Sequence, residues 1–333
     1  MRIGIAITRA SAVDPTWTTV QLARTALERG HSIRFIEPWD FEIDGRGNLV
    51  ARSHAFDPPA PDAVTLAHAL GNRTAARRFV DVARMDVLLL RASPLDTALL
   101  TFALMAKDLG VQVVNDPAGL LRASHKAWLA SLPDVSTPAT IVTRSIGAAQ
   151  VFYDQQPTGV VVKPARGSGG RGVTQVKPRD HDLLDACFFA AQALGDGYVV
   201  VQAYLPAAED GEKRIVWMDG VALGGYLRER APGEFRHNLK RGGQAHPTDF
   251  SATEIGLISR LSPHLLRCGI RLAGIDVIGD HITEVNALNP GGAFHTDRLS
   301  GSHLAETIIS KLETGIHPPV VPTEQLPWQP AVP

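Results

Sequence analysis

The chain opens on an unbroken apolar run, RIGIAI at residues 2–7, of the kind that fills a strand buried on both faces. Residues 17–29 then carry apolar positions at helical spacing and stop at Gly30, and SIRFIEP returns to a strand, predicting a βαβ opening. The polar stretch Asp44 to Asp62 predicts an extra hairpin or loop. MDVLLLR (85–91) is a second buried strand, followed by a helix near Leu95 to Leu109 and a short strand, VQVVN. This alternation implies a parallel-sheet α/β domain over residues 1–122.

From about Ser124 the elements change. HKAWLASL reads as a helix, ATIVT as a strand, and GVVVKPARGSGGRGVTQVKP (159–178) as strand, glycine-rich loop, strand. YVVVQAYLPA (198–207), DGEKRIVWMDG and VALGGYLRER are further strands, and APGEFRHNLKRGG (231–243) is a polar loop. SATEIGLISRLSPHLLRCG is a helix with Ser251 and Glu254 spaced as a capping box. AGIDVIGDHITEVNALNPGG (273–292) has two Ile/Val-rich runs broken at Gly279-Asp280, which predicts a hairpin. The expected division is a central unit at 123–199, a C-terminal unit at 200–317 and an extended Pro-rich tail at 318–333.

Composition narrows the classes. At 333 residues, 44% hydrophobic and net charge −1, the chain can bury a large core, and nothing argues for a nucleic-acid or anionic-membrane surface. Cys187 and Cys268 stand far apart without CxxC spacing, which excludes a disulfide framework or cysteine-rich zinc site and suits a reducing cytoplasm. No run of about 18 apolar residues occurs, so the expectation is a soluble cytoplasmic protein.

The chemistry concentrates in the last hairpin. Asp276, Glu284 and Asn286 place oxygen donors inside apolar runs, where a buried carboxylate needs a partner. Such donors suit Mg2+, or Mn2+ in its place, which leaves positions for water and phosphates. Glu284 and Asn286 share a face by period two, but Asp276 joins them only if the turn is odd, with three residues or a bulge at Gly279. The plain alternative is a solvated hairpin. Lys163, inside VVVKP, needs an anion unless it reaches water. Gly167 to Gly172 formally matches GxGxxG, but a strand follows instead of a helix, so it reads as a phosphate-covering flap or a flexible tip. The loop at 231–243 reads as an anion-grasping lid or a solvated basic loop.

Lys126, Lys163 with GSGGRG, VVVQAYLP, DGEKRIV, FRHNLKRGG and IDVIG..ITEVN together resemble the ATP-grasp superfamily in order and spacing. LLLRASPLDTALL and VVNDPAGLLRASHK narrow the resemblance to bacterial glutathione synthetase, over nearly the whole chain to Gly315. The resemblance implies an ATP-grasp fold, α+β in the catalytic half, behind an N-terminal α/β domain. It implies ATP-dependent carboxylate–amine ligation through an acyl phosphate, with small-molecule or peptide substrates and a homo-oligomeric assembly. Carried over, Lys126 and Lys163 contact ATP phosphates, Gly167, Ser168, Gly169 and Gly170 close over them, and Val200, Val201, Gln202, Tyr204 and Leu205 meet the adenine. Lys213 and Arg214 match a pair near the triphosphate, and Asp276, Glu284 and Asn286 match Mg2+ ligands. Arg236, Asn238 and Arg241 belong to the substrate-covering lid, with Arg91, Asn289, Gly291 and Gly292 at the substrate end. Arg214, Lys163, Arg236 and Asn238 form the catalytic set, and the Gly291 and Gly292 amides are candidates for an oxyanion site or a tight turn. His295 reads as a proton acceptor or as structural.

Two departures stand out. The E-x-N continues as A-L-N-P-G-G where glutathione synthetases carry V-T-S-P-T, and EFRHNLKRGG also resembles ligases that extend peptides, such as ribosomal-protein glutamate ligases. Another dipeptide product or peptide modification is therefore the alternative, and a non-catalytic nucleotide-binding regulator a third.

Overall fold

Three sheets carry the chain, and a computed structural model describes residues 1–167 and 169–315. The predicted βαβ unit is β1 (Arg2–Ala6), α1 (Thr18–Glu28) and β2 (Ser32–Ile36), with β1 and β2 in parallel register. β3 (Phe41–Ile43) and β4 (Leu49–Phe56) form the hairpin expected in the polar stretch, and its Asp44 carboxylate accepts from the Arg46 and Asn48 amides. After α2 (Ala63–Gly71) comes β5 (Ala76–Asp81), an edge strand without an apolar pattern because most of its residues face solvent. β6 (Val87–Leu90), α3 (Thr97–Asp108) and β7 (Gln112–Val114) complete the unit. Strands β2-β1-β6-β7 are parallel, while β3, β4 and β5 run antiparallel, so the expected parallel sheet is mixed.

α4 (Pro117–Ala123) and α5 (Lys126–Ala130) lead to a four-stranded antiparallel sheet. It comprises β8 (Thr140–Thr143), β9 (Val160–Pro164), β10 (Thr174–Val176) and β11 (Val199–Ala203), backed by α6 (Ile146–Asp154) and α7 (His181–Leu194). The third sheet has the order β14-β13-β12-β15-β16. Its strands are β12 (Glu212–Met218), β13 (Val221–Glu229), β14 (Gln244–His246), β15 (Leu272–Ile278) and β16 (His281–Asn286). α8 (Ala252–Arg267), with the capping box of Ser251 and Glu254, covers one face; α9 (Ala293–Ser300) and α10 (Leu304–Glu313) follow. Sheet membership changes after Ala203, so the division placed between 199 and 200 falls inside β11. The Pro-rich tail lies outside the described residues. Among those described, no helix is long and apolar enough to cross a membrane.

Packing explains where a cleft can open. Leu257, Leu261 and Leu265 of α8 share one core with Ile215, Trp217 and Ile275 of the third sheet and with Leu99, Leu100 and Leu120 beside the first. A second core joins Ile3, Ile5 and Leu22 to Val216, Met218 and Ile308. The four-stranded sheet instead has its own core of Val160, Val162, Val199, Val201, Leu184 and Phe188. Apolar packing therefore binds the first and third sheets together and stops at the second, where an open cleft remains.

Polar ties fix the first sheet to the third. Asn115 is buried; its Nδ2 donates to Leu272 O (2.7 Å) and Ala287 O (2.9 Å), and its Oδ1 accepts from the Arg271 and Leu272 amides (both 2.8 Å). At the other end Glu313 of α10 accepts from Arg29 Nε (2.8 Å) and meets His31 Nε2 (2.6 Å). The Arg29 hydrogen bonds, with help from His31, lower the Glu313 carboxyl from 4.5 to about 2. Because the folded value is the lower one, this tie stabilises fully above pH 4.5 and fades as pH falls toward about 2. Glu313→Gln is expected to lower the urea midpoint at pH 6 but to lose less than the parent between pH 5 and pH 3 (roughly the window in which such a carboxyl titrates).

Candidate active site

The β15–β16 hairpin keeps a two-residue turn at Gly279-Asp280, with Gly279 at φ +55° and Ile278 paired to His281. Val277 pairs with Ile282, the register then shifts, and Asp276 pairs with Glu284. The odd residue is thus Thr283, not one in the turn: the pairing expected of an odd loop is present, but a bulge further along β16 produces it. Gly274 pairs with Asn286, so Asp276, Glu284 and Asn286 share one face.

That face continues onto β12 and β13. Arg214 Nε donates to Asp276 Oδ1 (2.5 Å) and its second terminal nitrogen to Oδ2 (2.9 Å). Arg228 lies 2.6 Å from Asp276 Oδ1 and 2.8 Å from Glu212 Oε2. Burial alone would raise the Asp276 carboxyl, but Arg214 and Arg228 outweigh it and hold it below the usual range. Glu212, with burial dominating over Arg228, is pushed up to about 7. Asn286 Nδ2 donates to Asp276 Oδ2 (3.0 Å), which leaves its carbonyl oxygen for the cleft. Lys213 departs from expectation: period two turns it to the opposite face, where its Nζ binds Asp249 O (2.8 Å) and Glu254 (2.9 Å) at the start of α8.

The facing wall is the four-stranded sheet. Lys163 of β9 is 8% exposed and donates to Gln202 Oε1 (3.0 Å), whose Nε2 reaches Thr140 Oγ1 (3.0 Å). Burial lowers the Lys163 ammonium, and the charge of Glu284 counters it. Lys126 Nζ spans the opening, 3.0 Å from Gly167 O and 3.2 Å from Glu284 Oε1. Two adjoining cavities of about 230 and 180 Å3 fill this space and share Lys126, Lys163, Gly167, Gln202, Glu284 and Asn286. Val200 lines the first; Tyr204, Leu205, Gly169, Gly170, Arg214, Arg236 and Asn238 line the second. Val201 does not: its side chain points into the core behind the sheet. Ser168 lies outside the described residues.

The lid is stitched to the glycine-rich loop. Arg236 pairs with Glu234 (2.6 Å) and donates to Gly170 O (3.1 Å), while a Cβ on Gly170 would come within 3.7 Å of Arg241 and Asn238. The residues expected at the substrate end sit behind the cleft. Arg91, 4% exposed, lines neither cavity; it donates to Thr19 Oγ1 (3.1 Å) and Pro290 O (2.8 Å), a brace of buried polar groups. Asn289 takes φ +51° in the turn, and Gly291 O accepts from Arg214 (3.3 Å). The Gly292 amide is already donated to Thr18 Oγ1 (3.2 Å), so it is not free to hold an oxyanion. His295 packs against the Tyr226 ring at 5.4 Å and is partly buried.

Glu212 and Arg228 are the residues the sequence reading missed. Glu212 was within reach, since choosing Arg214 on a strand also chooses its neighbour two residues away. Arg228 was not, because its place opposite Glu212 depends on the β12–β13 register.

Two antiparallel sheets facing each other, lysines on one wall and an aspartate, glutamate and asparagine on the other, define an ATP-grasp ligase. Solved structures share the fold: the D-cycloserine synthetase DcsG (TM-score 0.65, 15% identity, 93% of this chain and 99% of that one) and the VanG D-Ala:D-Ser ligase from Enterococcus faecalis (0.64, 15%, 94% and 98%). The chain belongs to the prokaryotic glutathione synthetase family: its N-terminal domain profile matches residues 1–121 and its ATP-grasp domain profile residues 125–301. The glutathione synthetase of Synechococcus elongatus is 31% identical over 321 residues, covering 94% of this chain and 98% of its own. That of Synechocystis sp. is 36% identical over 201 residues, 60% of this chain and 62% of that protein. Against the Thermosynechococcus vestitus relative the match likewise spans 62% of its length.

Proposed function

We propose that this chain condenses γ-glutamylcysteine with glycine, converting ATP to ADP and phosphate. The observation that carries the reading is the Asp276–Glu284 pairing, which aims three oxygen donors and Arg214 across the cleft at Lys163. In this reading Lys126 and Lys163 hold the phosphates, and the glycine-rich loop covers them with backbone amides. Val200, Gln202, Tyr204 and Leu205 border the adenine. In this reading the third donor beside Asp276 and Glu284 is the amide oxygen of Asn286, whose Nδ2 donates to Asp276. A hard, oxygen-only set of this kind fits Mg2+, or Mn2+, kept partly hydrated and shared with phosphate. The metal would supply neutralisation of charge on the transferring phosphoryl group.

The nucleophiles belong to the substrates. A carboxylate oxygen attacks the γ-phosphorus and ADP leaves; the amine then attacks the acyl carbon and phosphate leaves. Arg214, held rigid by both oxygens of Asp276, keeps a fixed positive charge between the triphosphate end and Gly291, where charge develops. Arg236 and Asn238 close the lid edge and keep out water, which would hydrolyse the acyl phosphate. Assembly as a homo-oligomer belongs to the same proposal and is read by sedimentation.

ADP release over a panel of acids and amines tests it. γ-Glutamylcysteine plus glycine is expected to respond; silence there with response to another pair would favour the related ligase, a reading supported by the divergent Ala287–Gly292 loop. Lys163→Met is expected to weaken ATP binding by about tenfold to a hundredfold, since a charge-assisted contact in a buried site is lost. Lys213→Met, on the face that α8 covers and away from the cleft, is expected to leave it within about twofold.

A further inference from the structure

The segment that starts α1 offers three consecutive side chains to the substrate end. Thr19 Oγ1 accepts from Arg91, which braces Pro290 O. Thr18 Oγ1 accepts from the Gly292 amide. Trp17, the residue before α1, has Lys240 Nζ over its ring, 5.7 Å from the centroid. Asp14 lies close enough that the Lys240 charge acts on its carboxylate. Lys240 belongs to the 231–243 loop, whose Arg236 already grips Gly170 O of the glycine-rich loop (3.1 Å). The lid is therefore held on the central sheet's loop by Arg236, at Ala208 O by His237 Nε2 (2.8 Å), and on the N-terminal unit by Lys240.

We infer that Trp17 is a positioning residue that latches the lid through Lys240, registering closure against the same stretch of chain that fixes the Pro290–Gly292 loop. Arg236 ties the lid to the central sheet, which has a core of its own, and His237 ties it to the segment before β12; neither reaches the N-terminal unit. The Lys240 hold ties closure to the substrate end. The inference rests on the ligase reading above and goes beyond it by assigning the N-terminal unit a share in keeping the cleft dry. With the latch lost, water reaches the acyl phosphate: its oxygen bonds to the acyl carbon, phosphate leaves, and the original acid is regenerated. The net reaction is then ATP plus water to ADP plus phosphate, without peptide.

The test measures phosphate released per peptide formed, with ATP, γ-glutamylcysteine and glycine, alongside amide hydrogen exchange of residues 231–243 with a non-hydrolysable ATP analogue bound. Wild type is expected to release about one phosphate per peptide, the balance of the ligation itself. Trp17→Ala and Lys240→Met are each expected to raise that ratio and to speed lid exchange by about two- to fivefold, the worth of a partly exposed cation–π contact. Trp17→Phe should recover part of the effect, and the double variant W17A/K240M should add nothing to either single one. Lys240 is exposed, so K240M reports on the latch even if W17A folds poorly. Unchanged ratio and unchanged exchange in K240M would overturn the latch. Wild type that makes no peptide would sink the ligase reading, and faster lid exchange in K240M would still support the latch itself.

Discussion

Glu284→Gln is expected to reduce turnover by about a hundredfold to a thousandfold while leaving the folded protein intact. The glutamate is partly exposed and sits on a hairpin whose pairing depends on its backbone; glutamine keeps the shape and loses only the charge. Its ion-pair partner among the described residues, Lys126 at 3.2 Å, is a side chain that also binds Gly167 O and so keeps a partner. In the proposed ligase reading the change removes one of the two carboxylates in the oxygen set, and with it part of the neutralisation of the transferring phosphate. Steady-state ADP release and a thermal melt together check this. A variant with full ATP-dependent turnover would contradict the place given to Glu284 in the oxygen set.

The largest effect on stability is expected at Asn115. Its side chain satisfies four backbone groups of the third sheet and its flanking turn while sitting at the end of β7 in the first. Asn115→Ala strands these buried donors and acceptors, at a cost of about 3–5 kcal/mol. In a chain of this size that lowers the melting temperature by roughly 10 °C. Asn115→Asp keeps the two acceptor bonds but sets a charged oxygen against the Leu272 and Ala287 carbonyls, so it is expected to fare no better. Calorimetry on both variants decides; a shift under about 2 °C would mean the Asn115 bonds do not hold the junction.

Much of this was legible in the sequence, and the misses share a cause. The βαβ opening, the capping box on α8 and the β15–β16 hairpin are local signals, and local physics decides them. The need for Asp276 to face Glu284 followed from period two, but the place of the bulge did not: Thr283 Oγ1 there reaches Asp276 O (3.3 Å) and Glu212 Oε1 (3.4 Å), contacts set by the register of other strands. Lys213 and Val201 were assigned to the site by motif adjacency, although alternation along their strands turns them away. β5 carried no hydrophobic signature since it is an edge strand whose side chains mostly face solvent. Trp17, Thr18 and Thr19 act on residues more than seventy positions away, contacts that no local pattern encodes.

The most direct measurement labels both carboxylate oxygens of the cysteine carboxyl in γ-glutamylcysteine with the heavy oxygen isotope and follows them through one round of ATP-dependent condensation with glycine. If an acyl phosphate forms in this cleft, each molecule of glutathione made is accompanied by one inorganic phosphate carrying a single labelled oxygen. Glutathione formed alongside unlabelled phosphate, or ADP released with no glutathione at all, would contradict the account.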